Sequence, residues 1–232
     1  MDFPQPLFEG ILRQRYKRFL ADIVTSDEKI TTVHCTNTGS MKGVLLPPQR
    51  AWCLESNNPK RKLSMTLEIL ETQDGLVGVN THRTNHIALE GIQLGLIHPL
   101  QNLTDFETEK KYGQNSRIDI LGKDPAGKTV YIEVKNVSFK EQDTALFPDS
   151  ITERGTKHLH ELMEMVKEGH RAVMLYIAQR SDVTSFSPAK DIDPVYTKTL
   201  QEAVAKGVEI YAYSCRVSPL EIVVEKRLEV WL

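Results

Sequence analysis

Cysteine is scarce in this chain: Cys35, Cys53 and Cys215 are odd in number, far apart and without a C-x-x-C spacing. That argues against a disulfide framework or a zinc site and fits reduced, buried thiols. No run approaches the ~18 apolar residues of a membrane helix, and Met1-Asp2-Phe3-Pro4 lacks the charged-then-apolar pattern of an export signal. A cytoplasmic protein with no membrane partner is the expectation. An excess of one charge is also missing, with 29 basic residues against 31 acidic ones. Net charge therefore implies no nucleic-acid or membrane partner, and any basic surface must be local. Repeats and low-complexity segments are absent too. The 232 residues, 40% hydrophobic and 26% charged, describe an ordinary globular chain long enough for one large domain or two small ones.

The most informative stretch runs from Ser116 to Val137. Two short strands, Arg117 to Gly122 and Thr129 to Val137, flank the turn-forming cluster Asp124-Pro125-Ala126-Gly127. In the second strand Val130, Ile132 and Val134 fall on one face and Tyr131, Glu133 and Lys135 on the other. If the strands pair around a five-residue loop centred on Ala126, Leu121 faces Tyr131 and Asp119 faces Glu133. Their Cβ atoms are then roughly 5 Å apart. Two carboxylates that close repel unless a hard cation such as Mg²⁺ lies between them. Lys135, about 6.6 Å farther along the same face, reaches a water or phosphate oxygen at that cation. Asp, then Glu-x-Lys, on adjacent strands is a geometry for phosphodiester cleavage. A solvated hairpin face carries the same residue types, and a one-residue slip would separate the carboxylates. The Ile, Val and Leu of both strands favour burial, and with it the catalytic reading.

Residues 1–81 read as an all-β unit with strands at Ile11 to Val24, Thr31 to Cys35, Ala51 to Glu55, Leu63 to Thr72 and Leu76 to Thr81. Short strands at this spacing suit a small OB-like barrel. Arg13, Arg15, Lys17 and Arg18 interleave with Tyr16 and Phe19, and Lys60-Arg61-Lys62 forms a second basic group. Cations beside aromatic faces suit single-stranded nucleic acid, although plain solvent cover looks the same. The loop from His34 to Gly43 offers Asn37, Thr38, Ser40 and Lys42 together with open backbone N–H groups, which can line a phosphate or base. It lacks the spacing of a P-loop.

Residues 82–232 read as an α/β domain centred on the charged hairpin. A helical pattern runs from His82 to Leu96; His82 and His86 share a face, but the glutamate of H-E-x-x-H is missing, so they read as linker or groove residues. Glu109, in the charged segment before the hairpin, is a candidate third carboxylate, and Arg117 opens the hairpin with a cation. After the hairpin, Ser150-Ile151-Thr152-Glu153 matches a capping box and starts a helix that ends at Gly169, with Leu159, Leu162, Met163 and Val166 as its apolar stripe. Asp149, Arg154, Lys157 and His158 lie at its N-terminal half, where backbone N–H groups favour phosphate. A buried strand over Arg171 to Ala178, a helix over Ile192 to Lys206 and two strand segments complete the domain.

Five separated stretches carry a resemblance: H-C-T-N-T-G-S-M, Y-G-x-N-S-R-I-D, Y-I-E-V-K-N-V, F-P-D-S-I-T-E-R-G-T-K-H-L, and D-P-V-Y with A-x-x-x-G-V-E-I-Y-A-Y. In this order, over essentially the whole chain, they resemble the bacterial sugar fermentation stimulation protein A family. The resemblance implies DNA-binding proteins linked to expression of sugar, particularly maltose, metabolism genes. It implies an α/β (α+β overall) protein: an N-terminal OB-like β-barrel followed by a PD-(D/E)XK nuclease-like α/β domain. By the same resemblance Asp119, Glu133 and the Val134 carbonyl would hold Mg²⁺ or Mn²⁺, Lys135 would be the catalytic lysine, and Arg154, Lys157 and His158 would lie on the helix that orients the scissile phosphate. Ile118 stands where the motif's name expects proline, which removes no ligand. The implied partner is DNA, with RNA as the alternative substrate. The competing function is a non-catalytic DNA-binding regulator on a nuclease fold, although binding alone does not require the Asp119, Glu133, Lys135 trio, and no helix-turn-helix is evident.

Overall fold

The computed structural model describes residues 1–113 and 116–232; residues 114–115, within the Tyr112 to Asp119 stretch, lie outside that description. The chain begins with five strands, β1 (Phe8–Tyr16), β2 (Leu20–Val24), β3 (Ile30–His34), β4 (Gln49–Glu55) and β5 (Met65–Thr72), and β6 (Gly75–Gly78) follows. A bridge between His34 and Thr66 joins β3 to β5 and closes the barrel. Leu12, Ile23, Val33, Ala51, Cys53, Leu67 and Leu70 fill it, as alternating strands closed on themselves require. The OB-like expectation stands.

One strand assignment is corrected. Alternation alone extends a single strand over Ile11 to Val24, but the chain reverses at Lys17-Arg18-Phe19 and brings Leu20 opposite Tyr16. Lys17 and Arg18 both take positive φ, 49° and 66°, in a turn with no glycine or proline to mark it. An alternating pattern runs unbroken through such a hairpin, so it conceals the turn.

The second half starts with α1 (Thr84–Gln93), then β7 (Thr104–Tyr112), β8 (Ser116–Lys123) and β9 (Thr129–Val137) in an antiparallel meander. Two short strands, β10 (Lys140–Glu141) and β11 (Thr144–Phe147), lead to α2 (Glu153–Lys167), β12 (Arg171–Ala178), β13 (Ser185–Pro188), α3 (Pro194–Ala205), β14 (Glu209–Val217), β15 (Ile222–Arg227) and β16 (Glu229–Val230). The main sheet has the order β15-β14-β12-β9-β8-β7, with β9, β12 and β14 parallel. Ile87 and Ile92 of α1 pack on one face of this sheet, and Leu159 and Leu162 of α2 with Leu200 of α3 on the other. Coverage on both faces explains why β12 is a continuous apolar run rather than an alternating one. The result is the expected α/β domain, a mixed sheet covered by helices on both faces. Among the described residues no helix is long and apolar enough to cross a membrane.

The cap of α2 is also corrected. Thr152, not Ser150, accepts the Gly155 N–H, at 3.0 Å, while its own N–H donates to Asp193 Oδ2 at 2.8 Å. Asp193 in turn caps α3, so one carboxylate ties both helix starts together. Gly155 sits against Tyr196, where an added Cβ would come within 3.1 Å of the ring.

The barrel joins the α/β half through the segment that continues β12. Gly78 N–H donates to the Gln179 carbonyl at 2.8 Å. Arg180, only 1% exposed, donates to the Ser138 carbonyl and forks onto both oxygens of Asp182 at 2.7 Å. Lys140 links Asp182 (2.8 Å) to Asp74 of the barrel (3.0 Å). Burial acts to raise the Asp182 pKa, but the bonds and charges of Arg180 and Lys140 outweigh it and hold the carboxyl below its ordinary 3.8. A depressed folded value stabilises the fold above the unfolded pKa, and the contribution disappears as pH falls through the folded value. Asp182→Asn is therefore expected to melt lower than the parent at pH 7, with the difference shrinking only as pH falls below 3.8 through the depressed folded value; a pH series of melting curves checks this.

Candidate active site at the fork of the central hairpin

The hairpin forms in the expected register: Leu121 faces Tyr131, and residues 124–128 make the connecting loop. The ladder stops at Ile120 and Ile132. Beyond that rung, Asp119 Oδ2 accepts the Val134 N–H at 2.8 Å, where a backbone carbonyl of β8 would otherwise bond. Asp119 and Glu133 are thus not a regular facing pair, which corrects the flat-hairpin picture. The strand turns over at this point: Ile118 packs in the α2-side core and Ile120 in the α1-side core, although alternation would put both on one face. On the neighbouring strand Glu109 has φ 53°, a sparsely populated conformation for a non-glycine residue. The two strands part as a fork, and Asp119 projects into it. Because the N–H and C=O of one strand residue point to the same side, the Val134 carbonyl faces the fork as well.

Asp119, Glu133, Lys135 and His158 set the electrostatics. Burial, then the nearby Glu133 charge, push the Asp119 pKa up to about 6, against the opposing pull of the Val134 N–H, Lys135 and Asn85. Asn85, on the first turn of α1, donates to Asp119 Oδ1 at 2.9 Å and lies 3.5 Å from Glu109 Oε1. Glu109 itself is exposed and, among the described residues, meets the fork through that amide. Glu133 is 2% exposed; its Oε1 receives Lys135 Nζ at 2.6 Å and also His158 Nδ1. Burial favours its neutral form, but Lys135 and His158 outweigh burial and keep the carboxyl below its ordinary range. Its Oε2 is buried, with no hydrogen-bond partner among the described residues.

His158 occupies a buried place behind Glu133. Its Nδ1 is 3.1 Å from Lys135 Nζ, and its Nε2 lies 3.4 Å from Arg154 Nε. A guanidinium only donates, so Nε2 accepts and the bond pattern assigns the proton to Nδ1, aimed at Glu133. Arg154 is exposed on the first turn of α2, and Lys157 is exposed and 3.5 Å from Glu161. Arg117 is exposed on β8 opposite Lys111, a like-charge pair that an anion would relieve.

The barrel residues divide into two groups. Arg13 and Lys17 are exposed. Arg15 instead donates to the carbonyls of Arg18, Asn37 and Gly39, and Arg18 donates to that of Thr38, so both guanidinium groups brace the 37–40 loop. Asn37 is buried, with Oδ1 accepting the Gly39 N–H at 2.9 Å. Ser40 Oγ donates to the Asp149 carbonyl, while the Asp149 carboxylate accepts the Met41 N–H, each at 2.9 Å. Lys42 is exposed, 4.7 Å above the Phe139 ring. His82 and His86 are exposed at the start of α1 and α1's first turn, whereas their neighbour Asn85 reaches the site. Sequence reasoning passed over Asn85 because a lone amide has no motif; its only signal was its place beside an expected groove.

Among the described residues no three His, Cys, Asp or Glu side chains gather into a metal cage. Two carboxylates and a backbone carbonyl nevertheless meet at the fork, and a buried, unpaired Glu133 Oε2 is an oxygen in need of a cation or donor. Such an all-oxygen set, completed by waters, fits a hard divalent cation.

Two family descriptions match the chain: "SfsA N-terminal OB domain" over residues 14–79 and "Sugar fermentation stimulation protein RE domain" over residues 82–221. The chain belongs to the sugar fermentation stimulation protein family. Homologs of that name from Shewanella baltica strain OS185 and Maricaulis maris strain MCS10 are 48% and 44% identical, over 96% of this chain and of the first, and over 100% of this chain and 99% of the second. The structure of Pyrococcus furiosus SfsA in complex with Ca²⁺ aligns with a TM-score of 0.90 and 27% identity, covering 100% of this chain and 98% of that one.

The raised Asp119 pKa makes the stability of this family member depend on pH. Ionising Asp119 in the fold is disfavoured, so the cost is absent below the ordinary 3.8, grows toward about 6 and is constant above it. In chelator, the stability of Asp119→Asn relative to the parent is expected to rise by on the order of 2 kcal/mol between pH 4 and pH 8, on top of a pH-independent loss, because the amide cannot accept from both Asn85 and Val134. Denaturant titrations at the two pH values measure it.

Proposed function

We propose that this chain is a divalent-metal-dependent phosphodiesterase acting on DNA, in which residues 1–81 grip the nucleic acid and residues 82–232 cut it. The observation that carries the reading is the convergence of Asp119, Glu133, the Val134 carbonyl edge and Lys135 on one fork, with Glu133 Oε2 buried and unpaired. The Ca²⁺ in the P. furiosus relative supports a hard-cation site, with Mg²⁺ or Mn²⁺ as the working ion. The family's name supports a connection of this activity to sugar metabolism; no residue of the site is specific for a sugar.

When bound, such a cation acidifies a water and neutralises charge developing on the phosphate. Asp119, Glu133 Oε2 and the Val134 carbonyl would hold it. Asn85 fixes the angle of the Asp119 carboxylate, and His158 fixes Glu133 from behind, so both acidic groups are oriented before substrate arrives. Lys135 carries an ammonium at the edge of Glu133, from which it donates to the attacking water or to a non-bridging phosphate oxygen. Arg154, beside the N-terminal N–H groups of α2, meets the same phosphate from the helix side. Arg13, Lys17, Lys42 and Arg117 are exposed cations for the flanking backbone, and Asn37, Thr38 and Ser40 sit on the barrel loop that faces Asp149.

The test is cleavage of end-labelled single- and double-stranded DNA and RNA with Mg²⁺ or Mn²⁺. The parent is expected to cut DNA only with metal, and Asp119→Ala and Lys135→Ala to lose about 100-fold or more in rate. If no substrate is cut while all three proteins bind DNA equally, the enzyme reading fails and a DNA-binding regulator replaces it. Separately, Asn85→Ala is expected to weaken Mn²⁺ binding about 10-fold to 100-fold, as loss of an orienting partner does, which a calorimetric titration reads directly.

A further inference from the structure

Beside the fork, between the 36–39 loop of the barrel and the carboxyl end of β9, lies a cleft of about 250 Å³. Its barrel wall is rigid, because Arg15, Arg18 and the Asn37 amide hold the loop's own carbonyls and N–H groups, and Asp149 closes the far end by binding Met41. None of the described residues that line it is Lys or Arg. It is therefore no phosphate cradle, since phosphates are held by cations and open N–H groups.

What lines it is a different chemistry. Phe139 and Phe147 form apolar walls. Asn136 Oδ1 accepts Gln179 Nε2 at 2.7 Å and Thr84 Oγ1 at 3.4 Å, which fixes the amide and leaves its Nδ2 donors for the cleft. Among the described residues, Asp149 Oδ1 accepts one bond, from Ser150 Oγ at 3.5 Å, so it keeps acceptor capacity. An amide donor and a carboxylate acceptor between apolar walls, buried Phe139 and the edge of Phe147, whose ring packs on Tyr176 and Tyr196, complement the polar edge and apolar body of a nucleobase. Position agrees: Asn136 follows Lys135 directly, and the strand advances about 10 Å from Val134 to Val137, within the reach of one nucleotide.

We propose that this cleft takes one unpaired nucleobase of the strand whose phosphate lies at the fork. The inference rests on the nuclease reading and narrows it: the substrate is single-stranded or locally opened DNA, because a base cannot enter the cleft from an intact stack. The 36–39 loop is then a base-reading element rather than a phosphate loop.

The test uses the full chain in chelator, where nothing is cut, and a single-stranded oligonucleotide carrying 2-aminopurine, whose fluorescence reports unstacking and capture. The parent is expected to give a saturable signal and to bind the matching duplex at least 10-fold more weakly. Thr38→Trp, which fills the cleft from an exposed loop position, and Phe147→Leu, which removes one aromatic wall, are each expected to weaken single-strand binding about 10-fold with Mn²⁺ affinity unchanged. Correctly folded variants that bind the oligonucleotide as tightly as the parent would overturn the base site, even if metal-dependent cutting persists. A saturable signal lost in both variants, with no cutting by the parent in metal, keeps the base site and removes the nuclease instead.

Discussion

A strand interior cannot leave a backbone N–H unpaired, and at Val134 the pairing is made by a side chain. Asp119 replaces the missing β8 carbonyl, and most of the site follows from that substitution. It opens the hairpin into a fork, places a carboxylate at the opening, and turns the Val134 carbonyl toward the same space. Glu133, one residue earlier, comes within electrostatic range. The energetic tension of two buried carboxylates is eased only in part by Lys135, His158 and Asn85, which is the condition expected of a site built for a cation.

The helices serve this fork more than they serve the barrel. Helix α1 contributes Asn85 from its first turn, and α2 contributes His158 from one face and Arg154 from the border of that face. The basic residues of β1 and the turn after it, by contrast, divide between surface and scaffold. Arg15 and Arg18 have their guanidinium donors on loop carbonyls, so a count of cations near Tyr16 overstates what is open to a ligand. Arg13 and Lys17 remain at the surface.

The central hairpin was legible because two independent signals agreed: a five-residue loop of turn-forming residues and a strict alternation on either side of it. Helix α2 and strand β12 were legible for the same kind of reason, an amphipathic period in one and an unbroken apolar run in the other. The fork was not, because alternation assumes a regular ladder, and Asp119 breaks it with a side-chain bond that no spacing encodes. The turn at Lys17-Arg18 was hidden because neither residue is a usual turn former. Strands β10, β11, β13 and β16 span four residues or fewer and carry too few periods to read. Asn85 was missed because its role exists only after α1 is laid across the sheet.

The seam at Gln179 and Arg180 carries one more implication. These two residues extend β12, the strand beside β9, and they bond both to the barrel at Gly78 and to the end of the hairpin at Ser138. Barrel, fork and sheet are thus riveted to a common spine at this seam. On the proposed nuclease reading, a polymer entering the groove would have to adapt to a gap of set width, by flexing or feeding through lengthwise, since clamping shut around it would shear bonds that anchor the sheet itself.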